Sequence, residues 1–368
     1  LASNPANWAG LSDPPDFSLG SLKAVFPADA AAFTATFPAG ISRLGGIVME
    51  ATNFTFAAAD ATSVLGVGEE GIAYSRIEGA VRTITYGVSI APIDAQSWTA
   101  DDTETTSSLK VVVNRPFVDD PLGPGNVTIT GGGRYDFYTT NSTYTGDMKI
   151  DKPLPAGRAY AYGNEPFGPA GTLIVVPHDY KDWSLYLYDV TISKKVIART
   201  DSGNNRRPIA WNNGVTVFKG LFQSEGVDGI GPNGITVFEG GYGDSQHANY
   251  VNWGSAGAAW DASAKVIVTN KPFHVGTIQA AIQNLHLYAP SNSFNNMGGW
   301  HATYSPLGMT ANIHFHTNFA FYRNDARCSI TGESVWDFHG TEQTIGSLNG
   351  YGGSSGSLIS TNGPGRLN

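Results

Sequence analysis

The sequence predicts an all-β protein, an eight-stranded antiparallel jelly-roll sandwich with an inserted β-rich surface projection. The chain of 368 residues contains 45 Gly and 20 Pro, which provide many turns, and only 14% of its residues are charged. Short runs of β-branched and aromatic residues lie between the turns, whereas stretches with helical spacing are rare. Such a chain can bury a sizeable core, and its punctuation by turns is typical of sandwiches and jelly rolls.

The predicted elements follow from local patterns along the chain. Runs rich in strand-forming residues occupy residues 81–90, 110–113, 135–138, 171–176, 183–188, 265–268 and 312–322. Two segments, 277–285 and 333–348, have enough helical pattern to predict short helices, although Gly340 and Gly346 weaken the second prediction. Residues 350–357 and 361–365 are rich in Gly and Ser or in Gly and Pro, and predict a flexible C-terminal tail.

The composition divides the predicted fold into three parts. Residues 1–92 would form an N-terminal segment and the first half of the jelly roll, and residues 166–368 its second half with the C-terminal tail. Residues 93–165 begin with an acidic Thr-rich stretch and continue through several prolines and a run of three glycines. We therefore expect them to form a separately built, protruding β-rich subdomain.

Charge and cysteine content exclude several classes of function. The net charge of −9 argues against a nucleic-acid-binding surface on these residues. A single cysteine, Cys328, excludes an intrachain disulfide framework and a CxxC metal site. No apolar run reaches the length of a transmembrane helix, and sequons occur at Asn53, Asn126 and Asn141.

Two residues near the ends of the chain suggest self-cleavage chemistry. Asp16 lies in the run Pro14-Pro15-Asp16-Phe17, and Asn368 is the last residue of the sequence. An amide bond after Asn is vulnerable because the Asn side chain reaches its own carbonyl carbon. A neutral carboxylic acid, kept protonated by apolar surroundings, would polarise that carbonyl. The alternative is a surface turn at Asp16 and an ordinary Asn at position 368.

Several segments in the same order resemble the capsid precursor of nodaviruses. In that family an Asp in a Pro-Pro-Asp-Phe run promotes cleavage after an Asn near the C-terminus. Five further segments are similar to family shell segments in the same order: residues 75–92, 170–175, 218–222, 239–240 and 321–324. Residues 93–165 have no counterpart in the insect nodaviruses.

The resemblance implies a structural coat protein of a non-enveloped icosahedral virus. The chain would self-assemble in the host cytoplasm into a quasi-equivalent, T=3 virion shell that encloses a genome, with RNA expected. Cleavage after Asn368, promoted by Asp16, would be a single-turnover event that releases a C-terminal peptide. The genome would be held by a basic arm outside this sequence, and residues 93–165 would contact a host receptor.

The resemblance also implies Ca²⁺ between subunits, held by carboxylates and carbonyls. Glu239 matches a family ligand position, Asp201 resembles a second, and Asp228 is the nearest candidate for a third. The alternative is that all three are solvated loop carboxylates.

A different class of function fits the composition as well. A secreted β-sandwich that binds or hydrolyses carbohydrate would also have many aromatic residues, an acidic balance and sequons, but the sequence nominates no pair of catalytic carboxylates. Four aromatic residues in the predicted projection can either stack on sugars or fill its core: Tyr135, Phe137, Tyr138 and Tyr144.

Three further patterns resemble known kinds of site. His314 and His316 alternate on one face of a predicted strand and can ligate metal, but no third ligand is evident, which favours packing or interface histidines. The adjacent acids Asp119 and Asp120 would point to opposite faces, so solvated loops are favoured over a paired acid site. Residues 352–356 match G-x-S-x-G but lie in a Gly/Ser tail without the strand and helix that the motif needs.

Overall fold

The structure is a computed structural model, and it divides the chain into two compact units, Leu1–Leu173 and Ile174–Asn368. The residues that it describes are 22–29, 33–75, 81–101, 108–151, 157–176, 183–200, 207–211, 215–220, 222–226, 265–269, 273–274, 279–280, 285–288, 294–295, 300–303, 312–318, 327–330, 335–350 and 357–368.

Strands that alternate between two parallel sheets build the first unit. Its strands are β1 (Lys23–Phe26), β2 (Thr34–Phe37), β3 (Ile41–Met49), β4 (Asn53–Ala58), β5 (Val64–Tyr74), β6 (Arg82–Gly87), β7 (Ser89–Pro92), β8 (Gln96–Ala100), β9 (Leu109–Val113), β10 (Val127–Gly131), β11 (Arg134–Phe137), β12 (Met148–Asp151) and β13 (Arg158–Asn164). One sheet has the order β1-β3-β5-β8-β10-β12 and the other the order β2-β4-β6-β9-β11-β13, while β7 pairs with β5. Strand β14 (Thr172–Val176) crosses the boundary between the units.

The strand register shows that the first unit is a parallel β-solenoid. One column of paired residues in the first sheet runs Ala24, Ile47, Ile72, Trp98, Ile129 and Ile150. Successive members of this column are 21 to 31 residues apart, which is the length of one coil. Because consecutive strands other than β7 and β8 belong to different sheets, and pair in parallel with strands one coil away, the chain winds around a common core.

Aromatic side chains fill that core. Phe56 and Tyr86 occupy paired positions on β4 and β6, and their rings stack with centroids 4.7 Å apart and an interplanar angle of 2°. Trp98 packs 6.0 Å from Tyr86, and the Tyr74 and Tyr86 hydroxyls are hydrogen-bonded at 2.9 Å. Stacked aromatic pairs contribute about 0.5–1.5 kcal/mol beyond their burial, so this interior column links adjacent coils.

The second unit is built in the same way from strands that are mostly shorter. They are β15 (Trp183–Ile192), β16 (Lys195–Thr200), β17 (Arg207–Trp211), β18 (Val215–Phe218), β19 (Phe222–Gly226), β20 (Lys265–Thr269), β21 (Phe273–His274), β22 (Gln279–Ala280), β23 (Leu285–Tyr288), β24 (Phe294–Asn295), β25 (Trp300–Thr303), β26 (Asn312–Phe315), β27 (Arg327–Ile330), β28 (Val335–Asp337), β29 (Glu342–Gln343), β30 (Ser347–Gly350), β31 (Ser357–Ile359) and β32 (Arg366–Leu367). Its longest sheet has the order β15-β18-β20-β23-β26-β28-β31, with β17 also paired to β15. Three smaller groups accompany it: β16-β19-β21-β24, β22-β25-β27-β30, and the pair β29-β32.

The predicted antiparallel jelly roll is wrong, although the all-β class is confirmed. Most predicted strand runs coincide with strands, including residues 81–90 with β6 and β7 and residues 171–176 with β14. The pairings are parallel, since the turns between strands are corners of a coil and not hairpins. Residues 93–165, predicted as a projection, supply β8 to β13 to the same two sheets.

The two predicted helices are also wrong. Segment 277–285 includes β22 and the start of β23, and segment 333–348 includes β28, β29 and the start of β30. The glycines that weakened the helical pattern are consistent with this result, because Gly340 has a φ of +77° in the turn after β28. In the predicted flexible tail, residue 350 ends β30 and residue 357 begins β31, and segment 361–365 lies between β31 and β32. The described residues include no helix with the length and apolar character needed to cross a bilayer.

Candidate metal centre

A cluster of polar side chains lies on the longest sheet of the second unit. Strands β26 and β28 pair in parallel with His314 opposite Asp337, and β31 continues this column with Ile359. Phe315 and Trp336 are buried and pack with their rings 5.5 Å apart. Because side chains alternate along a strand, the neighbouring His314 and Asp337 lie together on the other face of the sheet.

A tight turn brings a second histidine back to this column. Thr341 N–H donates a hydrogen bond to the Phe338 carbonyl oxygen at 2.8 Å, and the two central residues, His339 and Gly340, have φ values of +47° and +77°. Positive φ at both central positions is the pattern of a type I′ turn. Asp337 Oδ1 accepts the His339 backbone N–H at 3.0 Å, which fixes the start of the turn. The imidazole of His339 therefore lies beside Asp337.

The three side chains place their ligand atoms at the corners of a small triangle. His314 Nδ1 lies 2.8 Å from His339 Nε2, which lies 3.2 Å from Asp337 Oδ2, and the third side, from His314 Nδ1 to Asp337 Oδ2, is 3.6 Å. Ligand bonds of about 2.0–2.1 Å in a tetrahedral zinc site separate ligand atoms by about 3.3 Å. The triangle therefore fits three ligands of one tetrahedral ion with a fourth position left over.

The environment of Asp337 favours its ionised form. Burial raises the pKa of Asp337, but hydrogen bonds from His339 N–H and from the N–H and hydroxyl of Thr361 outweigh this effect, and the nearby imidazole of His339 adds to them. The pKa of Asp337 is consequently held below its usual value. A carboxylate that is charged at neutral pH is the form that binds a cation.

The hydroxyl group of Thr361 contacts two of the three candidate ligands. Its Oγ1 donates to Asp337 Oδ2 at 2.9 Å and lies 2.9 Å from His339 Nδ1. If His339 Nε2 binds a metal, the neutral imidazole carries its proton on Nδ1 and donates it to Thr361 Oγ1. Outer partners of this kind fix the tautomer and orientation of metal-binding histidines. Asn362 Nδ2 is also 2.9 Å from Nδ1, and a rotated amide would present its oxygen there instead.

His316 lies beside the cluster but is not one of the three ligands. Its ring stacks on that of His339, with centroids 4.3 Å apart and an interplanar angle of 24°. The expectation of packing histidines therefore suits His316. His314 instead meets a carboxylate and a second imidazole that come 23 and 25 residues later in the sequence.

Most of the residues that the sequence nominated for self-cleavage and calcium lie in the part of the chain that the structure does not describe. Asp16, Asp201, Asp228, Glu239 and the G-x-S-x-G run at 352–356 lie outside the described residues. Asn368 is described: its N–H donates to the Gln343 carbonyl oxygen at 2.9 Å, and its side-chain amide donates to Glu342 Oε1 at 2.5 Å. Cleavage after Asn368 and calcium binding stay predictions.

The aromatic residues predicted either to stack on sugars or to fill a core differ in their burial. Tyr135, Phe137 and Tyr144 are fully buried, whereas Tyr138 is 43% exposed. Only Tyr138 among these four is therefore available to a ligand at the surface.

Fold and site together define the class of this molecule, a parallel β-solenoid with a His-Asp-His candidate metal centre. Comparison with protein-family models, with curated proteins and with solved structures finds no match to the chain, so no finding supports the nodavirus resemblance.

Proposed function

We propose that this protein is a metal-binding β-solenoid, whose second unit holds one divalent transition-metal ion on His314, Asp337 and His339. The observation that supports the proposal is the convergence of three ligand atoms within 4.8 Å of one another, on two adjacent coils. The ion would join the coil that carries β26 to the coil that carries β28. Its role is therefore to stabilise this part of the solenoid.

The chemistry of the donor set favours Zn²⁺ over Ca²⁺. Calcium takes six to eight oxygen ligands, whereas imidazole nitrogen suits zinc, copper, iron and nickel. Two imidazoles and one carboxylate also form the ligand set of some iron(II) centres. Zinc is the stronger proposal, because its closed d shell imposes no geometry of its own and so accepts the unequal ligand separations of 2.8 to 3.6 Å.

Titration calorimetry of the 368-residue protein with ZnCl₂ tests the proposal. We expect binding of one ion, and loss of that binding in His314→Ala and His339→Ala. His316→Ala is the matched control, since it removes a histidine from the same segment but none of the three ligands. It should therefore retain the stoichiometry.

The thermal stability of each variant separates a lost ligand from a lost fold. Without metal, the ligand variants should melt close to the metal-free parent. At a zinc concentration of 100 times Kd, the parent alone should gain about 2.7 kcal/mol. Unchanged zinc binding in a folded His314→Ala/His339→Ala double variant would exclude the site.

A further inference from the structure

The candidate metal centre draws three ligands from the residues that the structure describes. His314, Asp337 and His339 are the side chains whose ligand atoms converge there. A structural zinc site takes four protein ligands, whereas a catalytic site takes three and leaves the fourth position to water or substrate. Two imidazoles with one carboxylate also form the ligand set of known zinc hydrolases. The number and kind of ligands therefore point to a reactive ion as well as a stabilising one.

Water can reach this centre from outside the solenoid. Phe315 and Trp336, which alternate with the ligands along β26 and β28, are buried, so the ligands lie on the outward face of the sheet. The side chains of His314 and His339 are 18% and 14% exposed, whereas that of Asp337 is 2% exposed. The two imidazoles therefore border solvent, and the carboxylate is held beneath them.

The surroundings of the centre favour a neutral substrate with an apolar group. Ile359 on β31 pairs with Asp337, so the two residues share the outward face on strands about 4.8 Å apart. Ile359 is 42% exposed and offers apolar surface to a ligand at the ion. The segments that form the cluster, 312–318, 335–343 and 357–362, contain no Lys or Arg that would pair with a phosphate. An uncharged carboxylic ester with a short aliphatic acyl chain fits both observations.

We propose that the ion at this centre hydrolyses esters of short aliphatic acids, an inference that rests on the zinc binding proposed above. Zinc lowers the pKa of its bound water to about 7, so the water releases a proton to solvent and becomes hydroxide. The hydroxide oxygen attacks the ester carbonyl carbon while the ion stabilises the carbonyl oxygen. The bond from that carbon to the alcohol oxygen breaks, and the alkoxide takes up the proton that the new carboxylic acid releases. The carboxylate dissociates, and a second water takes the fourth position.

Hydrolysis of p-nitrophenyl butyrate by the 368-residue protein, loaded with an equimolar amount of ZnCl₂, tests the proposal. We expect zinc to raise kcat/KM about tenfold or more over the metal-free protein. The same zinc concentration without protein gives the background rate. His314→Ala/His339→Ala should remove the gain. Extraction of zinc from the parent with EDTA should remove it as well, which keeps the test independent of how the double variant folds.

Ile359→Ser tests where the acyl chain lies. It should bind zinc as the parent does, but the ratio of kcat/KM for the butyrate ester to that for the acetate ester should fall about fourfold, the effect of one methylene group removed from water. Leu358→Ser is the matched control, because Leu358 is also 42% exposed but pairs with Trp336 on the other face of the same strand. Its ratio should equal that of the parent. An equal fall in both variants would contradict binding of the acyl chain at Ile359.

Zinc titration of the same samples separates failure of this inference from failure of the zinc proposal. Absence of zinc binding would overturn both. One bound zinc ion without faster ester hydrolysis would overturn the hydrolysis alone and leave an ion that only stabilises the coils. Faster hydrolysis of p-nitrophenyl phosphate than of the acetate ester would overturn the neutral ester as the substrate class.

Discussion

Two adjacent residues, Asp119 and Asp120, show how differently the solenoid uses the same side chain. Asp120 is fully buried and accepts hydrogen bonds from Arg43 Nε and Nη2, each at 3.0 Å. Asp119 accepts the N–H and hydroxyl of Thr145 at an exposed position. The two acids have different partners, which agrees with the argument against a paired acid site. The predicted solvated loop is wrong for Asp120, which is buried against Arg43. The sequence does not reveal this ion pair, because its two residues are 77 positions apart.

Asp120→Asn should destabilise the protein much more than Asp119→Asn. Removing one partner of a buried ion pair costs about 3–5 kcal/mol, and we expect the lower end because the side chain of Arg43 is 16% exposed. Asp119→Asn removes the same charge but should cost only about 0.5–1.5 kcal/mol, the worth of ordinary hydrogen bonds. Urea unfolding of both variants measures the difference, and equal losses would show that the Arg43–Asp120 pair adds no stability.

At the scale of elements, Asn and Asp side chains connect one coil to the next at the corners. Asn53 Oδ1 accepts the backbone N–H of Thr83, and Asn126 Oδ1 accepts that of Asp147. Asp147 Oδ1 in turn accepts the N–H of Thr172 at 2.7 Å. Asp337 Oδ1 does the same for Thr361 at 3.0 Å. The candidate metal centre thus lies at a corner of the kind that recurs elsewhere in the fold. It differs in that the second carboxylate oxygen of Asp337, Oδ2, lies beside the histidines.

Corners also depend on glycine where one coil approaches the next. Gly131 has a φ of +81°, and a Cβ added there would lie 2.0 Å from the Ala100 carbonyl oxygen. Gly40 has a nearly equal φ of +84°, but its added Cβ would meet nothing within 4 Å. Comparing substitutions at the two positions therefore separates the energetic cost of the backbone conformation from the cost of close packing.

Gly131→Ala should cost more stability than Gly40→Ala. Both substitutions pay about 1–2 kcal/mol for the left-handed backbone. Gly131→Ala should lose about 1–3 kcal/mol more, since a packed coil must move away from the new methyl group. Denaturant midpoints of the two variants check this difference. Equal midpoints would mean that the coils separate at this corner without cost.

For the whole molecule, the sequence predicts the strongest strand runs but not the shorter strands or how the strands pair. Alternating burial is the same in parallel and antiparallel sheets, so runs such as 171–176 are recognised while their partners are not. Coil lengths of 21 to 31 residues vary too much for a fixed repeat to appear in the sequence. For the same reason the sequence did not predict the candidate metal centre. The coil length must be known before His314 can be placed beside Asp337 and His339.

Zinc binding should stabilise one region of the chain and leave the rest unchanged. The ion would join β26 to β28 and to the turn before β29, and Thr361 links these ligands to the segment after β31. Amide hydrogen exchange should therefore slow in residues 312–318, 335–343 and 357–367 when zinc is added, because local opening must then break metal bonds as well. Residues 64–74 and 96–100 of the first unit, which carry none of the ligands, should exchange at the same rate with and without zinc. Exchange measured by mass spectrometry on the parent and on His339→Ala tests this. Slowing in the variant, or slowing spread evenly over both units, would mean that zinc acts elsewhere.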